Sequence, residues 1–246
     1  MDPDETDVSF EIDADAARGT TLLCGFSRFG LAGLTAADYL VDHLSMEYVG
    51  HVATTDLPTI TPFEDGAPRH HTRLFGGPDL DVVVLVNELF VPITATDALA
   101  RSILAWTDEN AIDEIAVLSG VPVAHGPDDH LVFYVATEDY RRERLEGVDI
   151  PAMGRGFLDG VNANLLARGV DTDLRAGVFL TPVHAQAPDV DAALRLIDGF
   201  ETVYGLDVDS GPLEAFAEEV RQYYQELASR LETVDRAKQP EDRMYM

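Results

Sequence analysis

Asp81 is followed by five apolar residues, Val82-Val83-Val84-Leu85-Val86, and that run limits what the chain can become. A strand with one wet face alternates apolar and polar side chains. An unbroken apolar run is a strand covered on both faces, the habit of central strands in α/β proteins. The neighbouring segments follow the same grammar. Thr20 through Cys24 reads as a short buried strand before Gly25, and Leu34, Ala37, Leu40, Val41 and Leu44 then recur at helical spacing. Met46 through Thr54 predicts another strand, and Pro58, Pro62, Gly66 and Pro68 punctuate a long polar surface connection.

Residues 94–109 predict a helix whose Leu99, Ile103 and Trp106 pack inward. Ile112 through Leu118 restores strand character and stops at Ser119-Gly120. A strand is expected over 130–135, a helix over 156–168 and a strand near 174–180, while residues 1–18 read as an acidic lead-in. Helix and strand alternate too often for a bundle. The fold class is therefore α/β, a three-layer α/β/α sandwich.

Beyond Pro182 the strands stop. Residues 189–204 fit one amphipathic helix, and Ser210 caps a second, with Pro212 near its start and Glu214 in the first turn. The stripe of this second helix is Leu213, Phe216, Val220, Tyr223, Leu227, Leu231 and Val234, fit to pack on its own domain or on another subunit. The expected organisation is a core over 1–185, a C-terminal helical extension over 186–235 and a tail over 236–246.

Charge narrows the list of partners. The formal net charge is −28, yet 46% of residues are hydrophobic, enough to argue against wholesale disorder. Lys238 is the only lysine, and arginine supplies the remaining basic residues. An acidic, lysine-poor surface suits high-salt solvent, where screening weakens repulsion between carboxylates, and points to a halophilic cytoplasm. The same field disfavours nucleic acid and anionic membrane as partners. No apolar stretch approaches the ~20 residues needed to cross a bilayer. The acidic start, Met1-Asp2-Pro3-Asp4-Glu5, lacks the basic and apolar regions of a signal peptide. Cys24 is alone, so neither an intrachain disulfide nor a cysteine-rich metal site is available.

Several residues invite a chemical reading. Gly25, Gly30 and Gly33 follow a strand and precede a helix, where glycine lets a phosphate approach the backbone and helix-start amides attract anions. Arg28 can help hold an anion, and Asn87-Glu88 follows a strong strand at a place where α/β enzymes put chemistry. The glycine spacing is neither a dinucleotide fingerprint nor a Walker loop, and no lysine follows; the competing reading is a turn with close helix packing. His70-His71, and His125 with Asp128, Asp129 and His130, lack a recognisable ligand framework and read as surface loop, so no metal and no cofactor is expected. Ser119-Gly120 lacks the glycines of a nucleophile elbow, and Cys24 has no adjacent base. A catalytic set is missing.

The sequence ends in Met244-Tyr245-Met246 beyond an amphipathic helix. A tyrosine ring can fill a pocket while its hydroxyl finds a hydrogen bond, Met244 adapts to an imperfect groove, and the carboxylate of Met246 is an anionic handle. A hydrophobic-Tyr-X ending resembles the tails by which proteasomal activators and assembly chaperones enter pockets between α subunits of the proteasome core particle. From about residue 20 to 235 the body resembles the PAC2 family of proteasome assembly chaperone-like proteins. The matching stretches are Leu23 through Gly33, Ala37-Asp38-Tyr39-Leu40 and Leu118-Ser119-Gly120-Val121-Pro122. This chain has Cys24-Gly25-Phe26-Ser27 where the family often opens with a Pro-Gly-rich turn. The resemblance implies a phosphorylase-like α/β layout, self-association as a trimer to pentamer, and tethering to the proteasome core particle without a chemical step. The alternative from a different class is a phosphorylase-like enzyme or small-anion or nucleotide-binding protein using the 25–33 loop with Asn87 and Glu88.

Overall fold

The computed structural model describes residues 8–15, 19–77, 80–126, 129–184, 187–220 and 222. The chain divides into two compact units, Met1–Val208 and Asp209–Met246. In the first, the strands are β1 (Ser9–Ala14), β2 (Thr21–Phe26), β3 (Glu47–Thr55), β4 (Phe63–Glu64), β5 (Ala67–Pro68), β6 (Thr72–Gly76), β7 (Val82–Asn87), β8 (Glu114–Val121), β9 (Phe133–Ala136) and β10 (Arg175–Pro182). The helices are α1 (Ala32–His43), α2 (Thr96–Glu109), the short α3 (Glu138–Tyr140) running into a π-helical turn at Arg141–Leu145, α4 (Gly160–Asp171) and α5 (Val190–Tyr204). In the second unit, residues 211–220 are helical, as expected after Ser210.

A mixed eight-stranded sheet has the order β1-β3-β6-β7-β2-β8-β10-β9. Its centre, β7-β2-β8-β10, is parallel, and the strands outside it pair antiparallel. Every residue of β2 and of β7 is buried, which is why both segments read as continuous apolar runs. Successive side chains in β2 point to opposite faces. Leu22, Cys24 and Phe26 join one core cluster with Leu99, Ile103 and Trp106 of α2 and Val161 and Leu165 of α4. On the other face α1 packs against α5 and the central strands. The architecture is the expected α/β/α sandwich with helices on both faces of a large mixed sheet.

Four local departures have physical causes. Residues within the acidic lead-in form β1, an edge strand whose Phe10, Ile12 and Ala14 are half-buried against the core while Ser9, Glu11 and Asp13 face solvent. The acidic alternates masked that two-residue period. Strand β8 runs through Ser119-Gly120 to Val121 because β10 pairs with it along its whole length. The connection after β3 carries the β4–β5 hairpin, followed by β6. Helix α5, expected as part of the helical extension from residue 186, lies within the first unit and packs on α1.

At the amino ends of the parallel strands the fully buried Glu114 gathers three elements. It accepts hydrogen bonds from Arg144 Nε at 2.9 and 3.0 Å, from Arg175 Nε at 3.1 Å and from the Tyr204 hydroxyl at 2.8 Å. Among the described residues no helix is long and apolar enough to cross a membrane.

Candidate functional site

The loops at the carboxyl ends of β2 and β7 part company. After β2 the chain turns into α1 on one face of the sheet; after β7 it turns into α2 on the other. Open α/β sheets form a crevice where neighbouring connections diverge in this way. Here the crevice is a cleft of about 650 Å³ between residues 27–31, residues 90–96, Asp159 and Ala187-Pro188. Phe29, Leu31, Phe90 and Ile93 give it apolar walls, and Phe90 and Ile93 are 75% and 65% exposed.

The floor is built by tight backbone turns. Gly30 has φ 63°, a left-handed conformation in which glycine carries no Cβ penalty, and its carbonyl accepts a 2.8 Å hydrogen bond from the Asp189 amide. Leu31 follows with φ 50° and stands at the N-cap of α1 without a capping side chain, a costly place for a branched residue. Gly25 and Gly33 serve close packing. A Cβ on Gly25 would lie 2.4 Å from the Ala37 Cβ, and one on Gly33 would lie 2.0 Å from the Leu118 carbonyl oxygen. Gly120 is equally confined: a Cβ there would lie 2.5 Å from a Val183 methyl and 2.6 Å from the Phe29 carbonyl oxygen. Protein atoms thus occupy the space beside these three glycines.

Arg28 lines the cleft and forms an ion pair with Asp159 across it. Its guanidinium also stands 5.5 Å from the Phe29 ring centroid. Asn87 is buried and internally committed: its side-chain oxygen accepts from Thr72 Oγ1 at 2.6 Å and from the Leu89 amide at 3.2 Å, and its amide donates to the Leu89 carbonyl at 3.0 Å. Glu88 pairs with Arg69, and with Arg73 at 3.4 Å. Arg73 also meets Asp38 at 3.1 Å. Burial pushes the Asp38 carboxyl above its ordinary range, against the lowering effect of Arg73.

Of the six loop residues singled out by sequence, Arg28 and Gly30 therefore line the cleft. Gly25, Gly33, Asn87 and Glu88 shape the turns and layers around it. Phe90, Ile93 and Asp159 complete it and were missed. A pair of exposed apolar residues directly after a buried strand was the available signal for Phe90 and Ile93; nothing local marks Asp159, 131 residues from its partner.

Apart from His43, which stacks on Tyr39 in α1, the histidines separate into two groups. His71 does not lie on a surface loop: it is buried at the entry to β6, beside Thr72 Oγ1 at 2.8 Å, and burial holds its imidazole below the usual range. His70 stacks on His51 at 3.6 Å. His125 and His130 gather with His184, their ring centroids 5.0 to 6.3 Å apart. Among the described residues no group of three His, Cys, Asp or Glu side chains is arranged to hold a metal ion. Burial pushes the Cys24 thiol far up, away from nucleophilic duty. Met244, Tyr245 and Met246 lie outside the described residues.

Comparison with known proteins places this architecture. A curated relative, an uncharacterized protein of Methanocaldococcus jannaschii, is 23% identical over 203 residues, covering 82% of this chain and 83% of its own. PbaA of Pyrococcus furiosus, an archaeal homolog of proteasome-assembly chaperone, superposes with a TM-score of 0.83 at 21% identity over 93% of this chain and 95% of its own. PbaB of the same organism, an archaeal proteasome activator, gives 0.74 at 19% identity over 89% and 99%. At these identities the likeness to the solved structures is one of fold. The family model for PAC2 matches residues 22–228, the whole sandwich from β2 onward and the start of the second unit, and the chain belongs to the PAC2 family.

Proposed function

We propose that this protein is a proteasome assembly chaperone or adaptor, acting by binding the proteasome core particle without a chemical step. The observation that carries the reading is the PAC2 match over residues 22–228, joined to a fold shared with PbaA and PbaB. The cleft supports a binding role over a chemical one: its charged lining residues, Arg28 and Asp159, neutralise each other, and Asn87 and Glu88, outside its lining, are spent on internal bonds.

In this reading the decisive contact is made by Met244, Tyr245 and Met246 against pockets between α subunits. Tyr245 supplies an aromatic ring with a polar tip, and a terminal carboxylate supplies a fixed charge. Self-association, as a trimer to pentamer, would present several such tails, so weak single contacts would combine by effective concentration. The net charge of −28 with one lysine suits a halophilic cytoplasm.

The test is capture of a purified proteasome core particle in high salt by the intact chain and by Tyr245→Ala. The account expects capture by the first and sharply weaker capture by the second. Equal capture by both would remove the tail from the mechanism, and no capture by either would remove the proteasome.

A further inference from the structure

Three of the seven histidines meet where two connections come together at the carboxyl ends of β8 and β10. His125 and His130 belong to the connection after β8, and His184 follows β10. The His125 ring centroid lies 5.1 Å from that of His130 and 5.0 Å from that of His184, and the last two are 6.3 Å apart. Chain order does not bring them together. Strand β10 pairs with β8 along its whole length, and that pairing carries His184 back to His125.

The surroundings of each ring decide what a proton does there. His125 Nδ1 lies 2.7 Å from the Val123 carbonyl, which can only accept, so Nδ1 carries the hydrogen and Nε2 the lone pair. That Nε2 is buried and has no hydrogen-bond partner among the described residues. A proton added to it becomes a buried donor without an acceptor. Burial, the Arg195 guanidinium and the rings of His125 and His184 hold the His130 imidazole below its ordinary range, against the raising effect of Asp189. Arg195 is fixed in place: it donates to Thr181 Oγ1 and to the Pro182 carbonyl, each at 2.9 Å. Asp189 meets His184 Nδ1 at 3.0 Å and accepts from the His184 and Ala192 amides as well. Asp191 favours the charge on Arg195, and Asp129 turns back on the Gly126 amide at 2.9 Å. Neutral rings can share this place. Imidazolium ions at such distances, with a guanidinium beside them, repel.

We infer that His125, His130 and His184 form a proton-sensitive latch between the two connections, closed while the rings are neutral and released on acidification. The latch borders the cleft, since the Asp189 amide holds the Gly30 carbonyl at 2.8 Å and Ala187 and Pro188 line the cleft just before it. Release loosens that wall. The closed form takes up protons less readily than free imidazole, so it is favoured above the free value of about 6.5 and is lost as pH falls through the lower, closed one. The inference does not depend on the proteasome reading.

The test is residue-resolved hydrogen exchange of the full chain in high salt at about pH 7.5 and about pH 5.5, corrected for the intrinsic rate of free amides. Protection of the Val123, His184 and Asp189 amides should fall at least about tenfold at the lower pH, the change that one unit of proton coupling supplies, while β2 and β7 stay protected. A chain carrying His125→Gln and His130→Gln should show no such fall, and His43→Gln, outside the cluster, should respond as the wild type does. Equal protection of the wild type at both pH values overturns the latch, and so does the same fall in the doubly substituted chain. If that chain has lost protection already at the higher pH, the ring signals decide. The titration midpoint of His130 must rise in His184→Gln, which removes one neighbouring charge, and an unmoved midpoint overturns the inference.

Discussion

The hydroxyl of Tyr204, the last residue of α5, donates a 2.8 Å hydrogen bond to Oε1 of Glu114, the first residue of β8. Ninety residues separate them. The bond ties an outer-layer helix to the buried foot of a central strand, in a place where Arg144 and Arg175 already hold the same carboxylate.

Removing Glu114 should therefore be severe. It is fully buried, and its loss leaves Arg144 without a carboxylate, Arg175 with Asp113 alone and the Tyr204 hydroxyl with Tyr140 alone. Breaking a buried pair from one side typically costs about 3–5 kcal/mol. Arg144 and Arg175 retain some solvent contact, so Glu114→Ala should fall at the lower end, and Tyr204→Phe, which keeps the ring and both ion pairs, should cost about 1 kcal/mol. Denaturant unfolding in high salt measures both, and equal effects for the two variants would contradict the network.

Glycine substitutions separate packing from exposure. Gly33→Ala puts a methyl against the Leu118 carbonyl, a backbone atom that cannot yield without moving β8. A loss of about 1–3 kcal/mol or more is expected. Gly156→Ala meets open space and should change stability by no more than about 0.5 kcal/mol. Thermal melts of the two variants give the comparison.

Asp189 makes part of the stability depend on pH. Burial alone would raise its carboxyl, but hydrogen bonds from the His184 and Ala192 amides outweigh burial and hold it below the usual range. A depressed folded value contributes stability that is present above the unfolded value of about 3.9 and disappears as pH falls through the folded one. Asp189→Ala, which also removes the α5 cap, should cost about 0.5–2 kcal/mol near neutral pH. The gap between variant and wild type should narrow as pH drops below about 4. A gap that stays constant through that window would show that the carboxylate's charge is not what stabilises the helix start.

Much of the fold was legible because burial on both faces leaves a mark on the chain itself. Val82 to Val86 announced a central strand, and the Leu99–Ile103–Trp106 spacing announced a helix facing the core. Strand β1 was hidden because two of its three solvent-facing residues, Glu11 and Asp13, are acidic in a chain that is acidic throughout. Nothing local sets Glu114 apart from its neighbour Asp113; its burial is decided by Arg144 and Arg175, 30 and 61 residues away. Of the three glycines read as a strand-to-helix loop, only Gly30 lies in the turn; Gly25 belongs to β2 and Gly33 to α1, and what lies beside them is decided by α1 and β8 meeting at backbone distance. The cleft drew its second wall from Phe90 and Ile93 and its counter-charge from Asp159, a juxtaposition made only by the sheet order.

The central claim is tested most directly by the affinity of the intact chain for a purified proteasome core particle in high salt, measured beside a chain lacking residues 244–246. The account predicts saturable binding by the intact chain and at least a tenfold weaker affinity, about 1.4 kcal/mol, for the shortened one. Absence of binding by the intact chain, with the fold verified in the same solution, would contradict it.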